Sequence, residues 1–277
     1  MKHLVICQVN VRHSRAVWTL LERTVKEKEI DIVAVQELPM VATTYEGRWD
    51  GYDFLLTKGS IPHAALIINS KLKFKALEKT GRRVCGAQLW FSGFSCVVLS
   101  SYLRHTSGEG LAELSDFLGF ARLISTGVLL CSDSNAHSPL WGPPSVSSDA
   151  VGKKLEEVFA QENMLVLNHS DSPPTFRGDS GQNSWIDVTA VTPSLVHRVF
   201  SWQVVEDMEV ASDHIPIITR LWGNSPRMMV RQVHDWNKVD WEAFRYALTT
   251  GLGRCPETPL QSSAEVDHAV SLLMEGV

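Results

Sequence analysis

"HLVICQVNVRHSRAVWTLLERTVKEKEIDIVAVQE", residues 3–37, sets two apolar runs on either side of a segment with helical spacing. His3 to Val9 is short, apolar and β-branched, the pattern of a strand. Ser14 stands where a helix cap belongs, and Val17, Leu20, Leu21 and Val25 recur at helical spacing toward Glu29. Ile30 to Glu37 is apolar almost to its end, as expected of a strand covered on both faces. Strand, helix and strand at this spacing predict a layered α/β domain.

Working outward, the stretch from Tyr52 to Ser101 reads as an antiparallel meander. Its expected strands are Asp53–Thr57, Ala64–Ile68, Lys73–Leu77, Val84–Phe91 and Cys96–Ser101, parted by turn signals such as Lys58-Gly59 and Ser92-Gly93. A helix is expected over Glu109–Leu123, a strand over Gly127–Asp133, and a second helix over Asp149–Asn163 with Asp149 as its cap. Strands resume at Trp185–Thr192, Val199–Val205 and Ile215–Leu221. Two strand-rich halves, each with helices, predict a sandwich of two sheets with helices outside. Residues 1–223 form this domain, and 224–277 read as a linker and helical tail, with helices at Trp236–Leu248 and Ser262–Met274. The last helix runs to the chain end without a cap, as in a piece of a longer protein.

The totals narrow the function classes. A net charge of −5 excludes a global basic field, so contact with nucleic acid has to rest on local arginines and lysines. The apolar runs are short and broken by charge, which predicts no membrane span, and no signal-peptide pattern opens the chain. The five cysteines are odd in number and no pair has C-x-x-C spacing, which argues against a disulfide framework or a zinc cluster and for a reducing compartment, cytosol or nucleus.

Polar residues recur where the expected strands finish: Gln8-Val9-Asn10, Gln36-Glu37, Ser100-Ser101-Tyr102, Asp133 and Asn135, Asp187, and Asp213-His214. Each has a plain reading on its own. Glu37 fits a solvated loop, Asp133/Asn135 a turn pair, and His214 a satisfied turn histidine. Together they predict one cleft beyond the strand ends. Hard divalent ions take oxygen ligands, which Glu37 with Asp213 or Asn10 can supply. Phosphodiester hydrolysis needs such an ion, an oriented water and donors for the developing charge. Asp133 can deprotonate the water with Asn135 holding it, His214 kept charged by Asp187 can face the phosphate, and Tyr102 can donate its hydroxyl. For DNA phosphates the candidates are Arg104, His105 and Arg177, and also Arg82-Arg83, whose preferred reading is a solvated hairpin tip. Trp141 is either a residue that stacks on DNA or a core residue.

"QVN" at 8, "QE" at 36, "SDSN" at 132, "NSWID" at 183 and "SDHIPI" at 212 resemble the successive motifs of the endonuclease/exonuclease/phosphatase superfamily, which includes DNase I and the apurinic endonucleases. The resemblance covers residues 1–222. More narrowly, "CQVNVRHSRAVW", "SDSNAHSPLWG", "PPTF" at 173 and "SDHIPI" are similar to the endonuclease domain of insect non-LTR retrotransposons, and "DWNKVDWEAFRYAL" resembles the stretch leading from that domain toward the reverse transcriptase. The resemblance implies a DNase I-like α/β (α+β) fold, a four-layer sandwich of two mainly antiparallel β-sheets flanked by helices. It implies Asn10 and Glu37 at a Mg²⁺ ion (Mn²⁺ able to substitute), Asp213 assisting the metal or the histidine, Tyr102 on the phosphate, Asp133 and Asn135 on the water, Asp187 paired with His214, and Thr175 near the DNA. It further implies nicking of a double-stranded DNA target in the nucleus, leaving a 3′-hydroxyl for a reverse transcriptase domain of the same polyprotein. Ser132 and Ser134 depart from the family pattern, which often has glycine and an aromatic there. The rival readings are a phosphatase of the same fold and a decayed DNA-docking module.

Overall fold

The structure, a computed structural model, describes residues 3–104, 108–178, 181–208 and 210–223. The chain divides into two compact units, Met1–Pro226 and Arg227–Val277. The second unit, with both helices expected of the tail, lies outside the described residues, as does His105.

The elements follow the sequence pattern closely. In order they are β1 (His3–Asn10), α1 (Arg15–Glu27), β2 (Ile32–Gln36), β3 (Tyr52–Leu56), β4 (Ala64–Asn69), β5 (Lys73–Ala76), β6 (Val84–Phe91), β7 (Phe94–Tyr102), α2 (Leu111–Ile124), β8 (Val128–Asp133) and α3 (Ala150–Gln161). Then come the two-residue strands β9 (Leu165–Val166), β10 (Phe176–Arg177) and β11 (Asn183–Ser184), followed by β12 (Asp187–Val191), α4 (Pro193–Val196), β13 (Val199–Val204) and β14 (Ile217–Trp222). Ser14 caps α1 by accepting from the Val17 amide at 3.3 Å, and Asp149 caps α3 by accepting from Gly152 at 2.7 Å. Both caps satisfy amides that the first helical turn leaves without a partner.

One six-stranded sheet runs β13-β14-β1-β2-β4-β3 and the other β5-β6-β7-β8-β12-β9. Each holds one parallel pair, β1 with β2 and β7 with β8. The expected meander from Tyr52 to Ser101 is therefore divided. β3 and β4 pair within the first sheet, whereas β5, β6 and β7 form a run in the second. Alternation marks a strand but says nothing of its neighbour, so the crossing near Ser70 left no trace in the pattern.

Three apolar clusters define four layers. Val17, Trp18, Leu21 and Val25 of α1 pack on Cys7, Val9, Val33, Val35 and Ile67 of the first sheet. Leu4, Ile6, Ile32, Ala34 and Leu66 face Ala87, Leu89, Val98, Leu129 and Cys131 between the sheets. Val97, Leu99, Val128 and Leu130 meet Leu114, Phe117, Leu155 and Phe159 of α2 and α3. Successive side chains point to opposite faces, so every central strand feeds both a helix-side cluster and the inter-sheet layer. Cys7, Cys85, Cys96 and Cys131 are free and buried in these layers, and burial pushes the thiols of the first three up to about 12. No helix among the described residues is long and apolar enough to cross a membrane.

Candidate active site

The inter-sheet rows change character along each strand. Leu4-Ile6 gives way to Gln8-Asn10, Ile32-Ala34 to Gln36, Val98 to Ser100-Tyr102, Leu129-Cys131 to Asp133, and Val191 to Thr189-Asp187. Register then sets these ends side by side. Tyr102 stands opposite Asp133 across the β7–β8 pair, and Asp187 opposite Asp133 across β8–β12. Asn10 stands opposite Gln36 in the first sheet. Neighbouring strands lie about 4.8 Å apart, so two carboxylates and a phenol share one strip of the second sheet.

Hydrogen bonds close the gap between sheets. Asn10 Nδ2 donates to Asp133 Oδ2 at 2.7 Å, and Gln8 Nε2 donates to the Ser132 carbonyl at 3.1 Å. Thr189 Oγ1 donates to Gln8 Oε1 at 3.0 Å, and Gln36 Nε2 to Ser100 Oγ at 3.1 Å. Asn168 holds β12 from its far side, donating to the Asp187 carbonyl and accepting from the Thr189 amide, both at 2.9 Å.

The ionisable groups are strongly perturbed. His214 Nδ1 lies 2.9 Å from Asp187 Oδ2, and both side chains are nearly sealed from solvent. Burial alone would push this imidazole down. The charge and hydrogen bond of Asp187, with the charges of Asp133 and Asp213, outweigh it and raise the group to about 9. Burial lifts the Asp133 carboxyl well above the usual carboxylate range, and Asp187 adds to this, while His214 and the Asn10 bond pull the other way. Tyr102 donates its hydroxyl to Glu37 Oε1 at 2.8 Å, and its pKa is raised by burial and then by that carboxylate. Arg12 Nη1 lies 2.6 Å from Asp213 Oδ2. Asn135 donates from its backbone amide to Asp133 Oδ1 at 3.1 Å and from Nδ2 to the Leu103 carbonyl at 2.9 Å. Both Glu37 and Asn135 adopt left-handed backbone angles, φ 50° and 46°, and such non-glycine strain concentrates at functional sites.

Asn10, Glu37, Tyr102, Asn135, Asp213 and His214 line one cleft of about 610 Å³. Ligand atoms of Asp133, Asp187 and His214 lie within 4.8 Å of one another at its floor, and this buried acidic and imidazole cluster suits use of a divalent metal. Asp187 Oδ1 and Asp213 Oδ1 are buried and without a hydrogen-bond partner among the described residues. Oxygen acceptors left over in this way are the donor set a hard cation takes.

Solved structures share this architecture. The endonuclease domain of TRAS1, a telomere-specific non-LTR retrotransposon, superposes with a TM-score of 0.70 at 20% identity, covering 79% of this chain and 98% of that one. An endonuclease/exonuclease/phosphatase from Bacteroides vulgatus superposes with a TM-score of 0.60 at 17% identity, covering 80% of this chain and 99% of that one. The fold is that of the endonuclease/exonuclease/phosphatase superfamily. The superfamily fold also appears in the AP endonuclease of Leishmania major, with a TM-score of 0.65 at 16% identity over 79% of this chain and 88% of that one. In sequence, the family model described as endonuclease-reverse transcriptase matches residues 96–218. A Retrovirus-related Pol polyprotein from type-1 retrotransposable element R1 of Bradysia coprophila is 28% identical over 213 residues, 69% of this chain. The match spans about a fifth of that polyprotein, 20%.

Two residues named for DNA contact are buried, Trp141 in the core, one of its two readings, and Thr175 beside the site. Trp141 is fully buried, edge-on to Phe159, with its indole N–H donating to the Ala136 carbonyl at 3.1 Å. With its donor satisfied inside, it is core and unavailable for stacking. Thr175 is also fully buried, and its hydroxyl accepts from the Ile186 and Asp187 amides at 3.1 and 3.0 Å. It positions Asp187 and touches no solvent. Arg104 and Arg177 are exposed but occupied, by Glu109 and Glu206. Arg83, preferred as part of a solvated tip, is buried, whereas Arg82 is exposed. The two departures from the family pattern are absorbed: Ser132 Oγ accepts from Ser101 Oγ at 2.8 Å, and Ser134 Oγ donates to the Ile186 carbonyl at 2.7 Å.

Sequence reading missed Arg12, Asn168 and Ser212. Ser212 Oγ donates to the Asn10 carbonyl at 2.7 Å and accepts from the His214 amide at 3.2 Å, tying the two loops together. Its place two residues before His214 was the available signal.

Proposed function

We propose that this chain is a Mg²⁺-dependent DNA endonuclease that nicks one strand of a double-stranded target in the nucleus, leaving a 3′-hydroxyl for a reverse transcriptase domain of the same longer polyprotein. The observation that carries the reading is the sealed Asp187–His214 pair standing beside Asp133 on the floor of the cleft that Glu37 and Tyr102 line. Its likeness to the R1 polyprotein and to the TRAS1 endonuclease domain supports the choice of DNA over other phosphoesters.

In this mechanism Glu37, Asn10 and Asp213 hold the ion, with Mn²⁺ able to replace Mg²⁺. When bound, the ion neutralises phosphate charge as a Lewis acid. Asp133, raised by burial, takes a proton from the attacking water while Asn135 fixes that water. The water oxygen bonds to phosphorus, the bond from phosphorus to the 3′ oxygen breaks, and that oxygen takes a proton from solvent water to become the hydroxyl, while Asp133 returns its proton to solvent. His214, held positive by Asp187, and the Tyr102 hydroxyl stabilise the negative charge that grows on the phosphoryl oxygens.

Supercoiled plasmid, a phosphoinositide and a small phosphomonoester are offered in parallel, with Mg²⁺ and with EDTA. Nicking of the plasmid that EDTA stops is the expected result. Hydrolysis of the lipid or the phosphomonoester but not the plasmid would assign the chain to the phosphatases of the same fold, and binding of plasmid without cutting would make it a docking module.

A further inference from the structure

Arg82 and Arg83 adjoin the cleft without entering it. Arg83 is 6% exposed, and its Nη2 lies 3.0 Å from Glu109. Its Nε is buried with no hydrogen-bond partner among the described residues. Lys58, Ser60, His63, Arg82, Arg83 and Glu109 line a notch of about 310 Å³. The Lys58 amide donates to the Gly81 carbonyl at 2.7 Å, which ties the β3–β4 loop of one sheet to the β5–β6 loop of the other. Three permanent cations face one carboxylate here, in a chain whose net charge is −5. The local field is felt by His63, which is lowered by burial and then by Arg83.

Tyr102 forms the wall between notch and cleft. His63 stacks on it, with centroids 5.8 Å apart and planes 10° from parallel, and the Arg83 guanidinium lies 5.5 Å from the same ring. Notch and cleft therefore meet through the His63–Tyr102 stack. Phosphate contacts supply most sequence-independent DNA affinity, and an arginine N–H with no other partner is a strong donor to a phosphate oxygen.

Resting on the nuclease reading above, we propose that the notch is a second phosphate seat, in which Lys58, Arg82 and the buried Arg83 Nε–H hold a backbone phosphate of duplex DNA flanking the one at Tyr102. The seat reads no base; it sets where along the backbone the cleft comes to rest.

Binding of a short labelled duplex by the full chain in EDTA, followed by fluorescence anisotropy across a salt series, tests it. The Lys58→Ala/Arg82→Ala double variant is expected to bind about tenfold more weakly at low salt, with a slope of log affinity against log salt smaller by about 1 to 2. Arg83→Lys, which keeps the charge but removes Nε, is expected to weaken binding less while retaining the wild-type circular dichroism. Wild-type affinity and slope in the double variant overturn the proposal. So does an equal loss in Arg23→Ala/Lys26→Ala on α1, since the effect would then follow charge alone. Plasmid nicking by the wild type is measured alongside: a slope change in a protein that never cuts keeps the seat and removes the nuclease reading.

Discussion

The two ends of the inter-sheet layer share strands and burial but not chemistry. At one end Leu4, Ile32, Leu66 and Leu129 are fully buried among apolar neighbours. At the other Gln8, Asn10, Gln36, Ser100, Asp133 and Asp187 are buried just as deeply, at 2% exposure or less. The apolar end gains from removal of surface from water, about 25 cal/mol per Å². The polar end carries the desolvation cost of each group and offsets it only where a partner is in reach. Most groups there have one; the exceptions among those named are an oxygen each on Gln36 and Asp187, without a partner among the described residues. The apolar end holds the sheets together, and the polar end fixes the chemistry between them.

The contrast can be broken most sharply at the floor of the cleft. Asp133→Ala or His214→Ala is expected to lower plasmid nicking by roughly a hundred- to ten-thousand-fold, while circular dichroism stays that of the wild type. Nicking at the wild-type rate by either variant would remove its assigned role.

Asp187→Asn tests the electrostatics at the same floor. The His214 imidazole, raised to about 9 with Asp187 beside it, is expected to titrate well below that in the variant, as followed by NMR on metal-free protein. A group raised in the folded state stabilises fully below its unfolded pKa, about 6.5, and loses that contribution as pH rises through the folded value. The stability gap between wild type and variant is therefore widest below about pH 6.5 and closes as pH passes about 9.

At the apolar end the expected loss is of stability and not of chemistry. Leu129→Ala is expected to cost about 2–5 kcal/mol in denaturant unfolding, with the nicking rate per folded molecule retained. A loss of rate with no loss of stability would erase the distinction between the two ends. Thr175→Val is the mildest change. It leaves two amides of the Ile186–Asp187 segment without their acceptor, an expected cost of about 1–3 kcal/mol, seen as a lower unfolding midpoint with partial loss of nicking.

Much of this was legible in the sequence because the polar end is written at the last residues of apolar runs. A strand that passes from Leu129-Leu130-Cys131 to Asp133 announces both its burial and its terminus. Period and caps placed β1, α1, β2, β8 and α3 for the same reason: each obeys local chemistry. What stayed hidden depends on partners far along the chain. The division of the β3–β7 run between two sheets is a matter of pairing, which alternation does not encode. Trp141 carries one donor, and only the fold reveals that Ala136 receives it. Arg83 adjoins an exposed Arg82 in sequence, yet Glu109 and the Tyr102 ring enclose it. The two-residue strands β9, β10 and β11 are too short to carry a period at all.

Asp133 and Asp187 stand on strand termini braced from beneath, by Asn10 in one case and by Thr175 and Asn168 in the other. The rim is tied differently: the His63 carbonyl accepts from the Glu37 amide at 2.9 Å, and the Asp213 carbonyl from the Arg177 amide at 2.8 Å. A substitution at His63 or Arg177 accordingly reaches the mouth of the cleft, through Glu37 and Asp213, before it reaches the braced floor, so the two depths of one cavity tolerate change unequally.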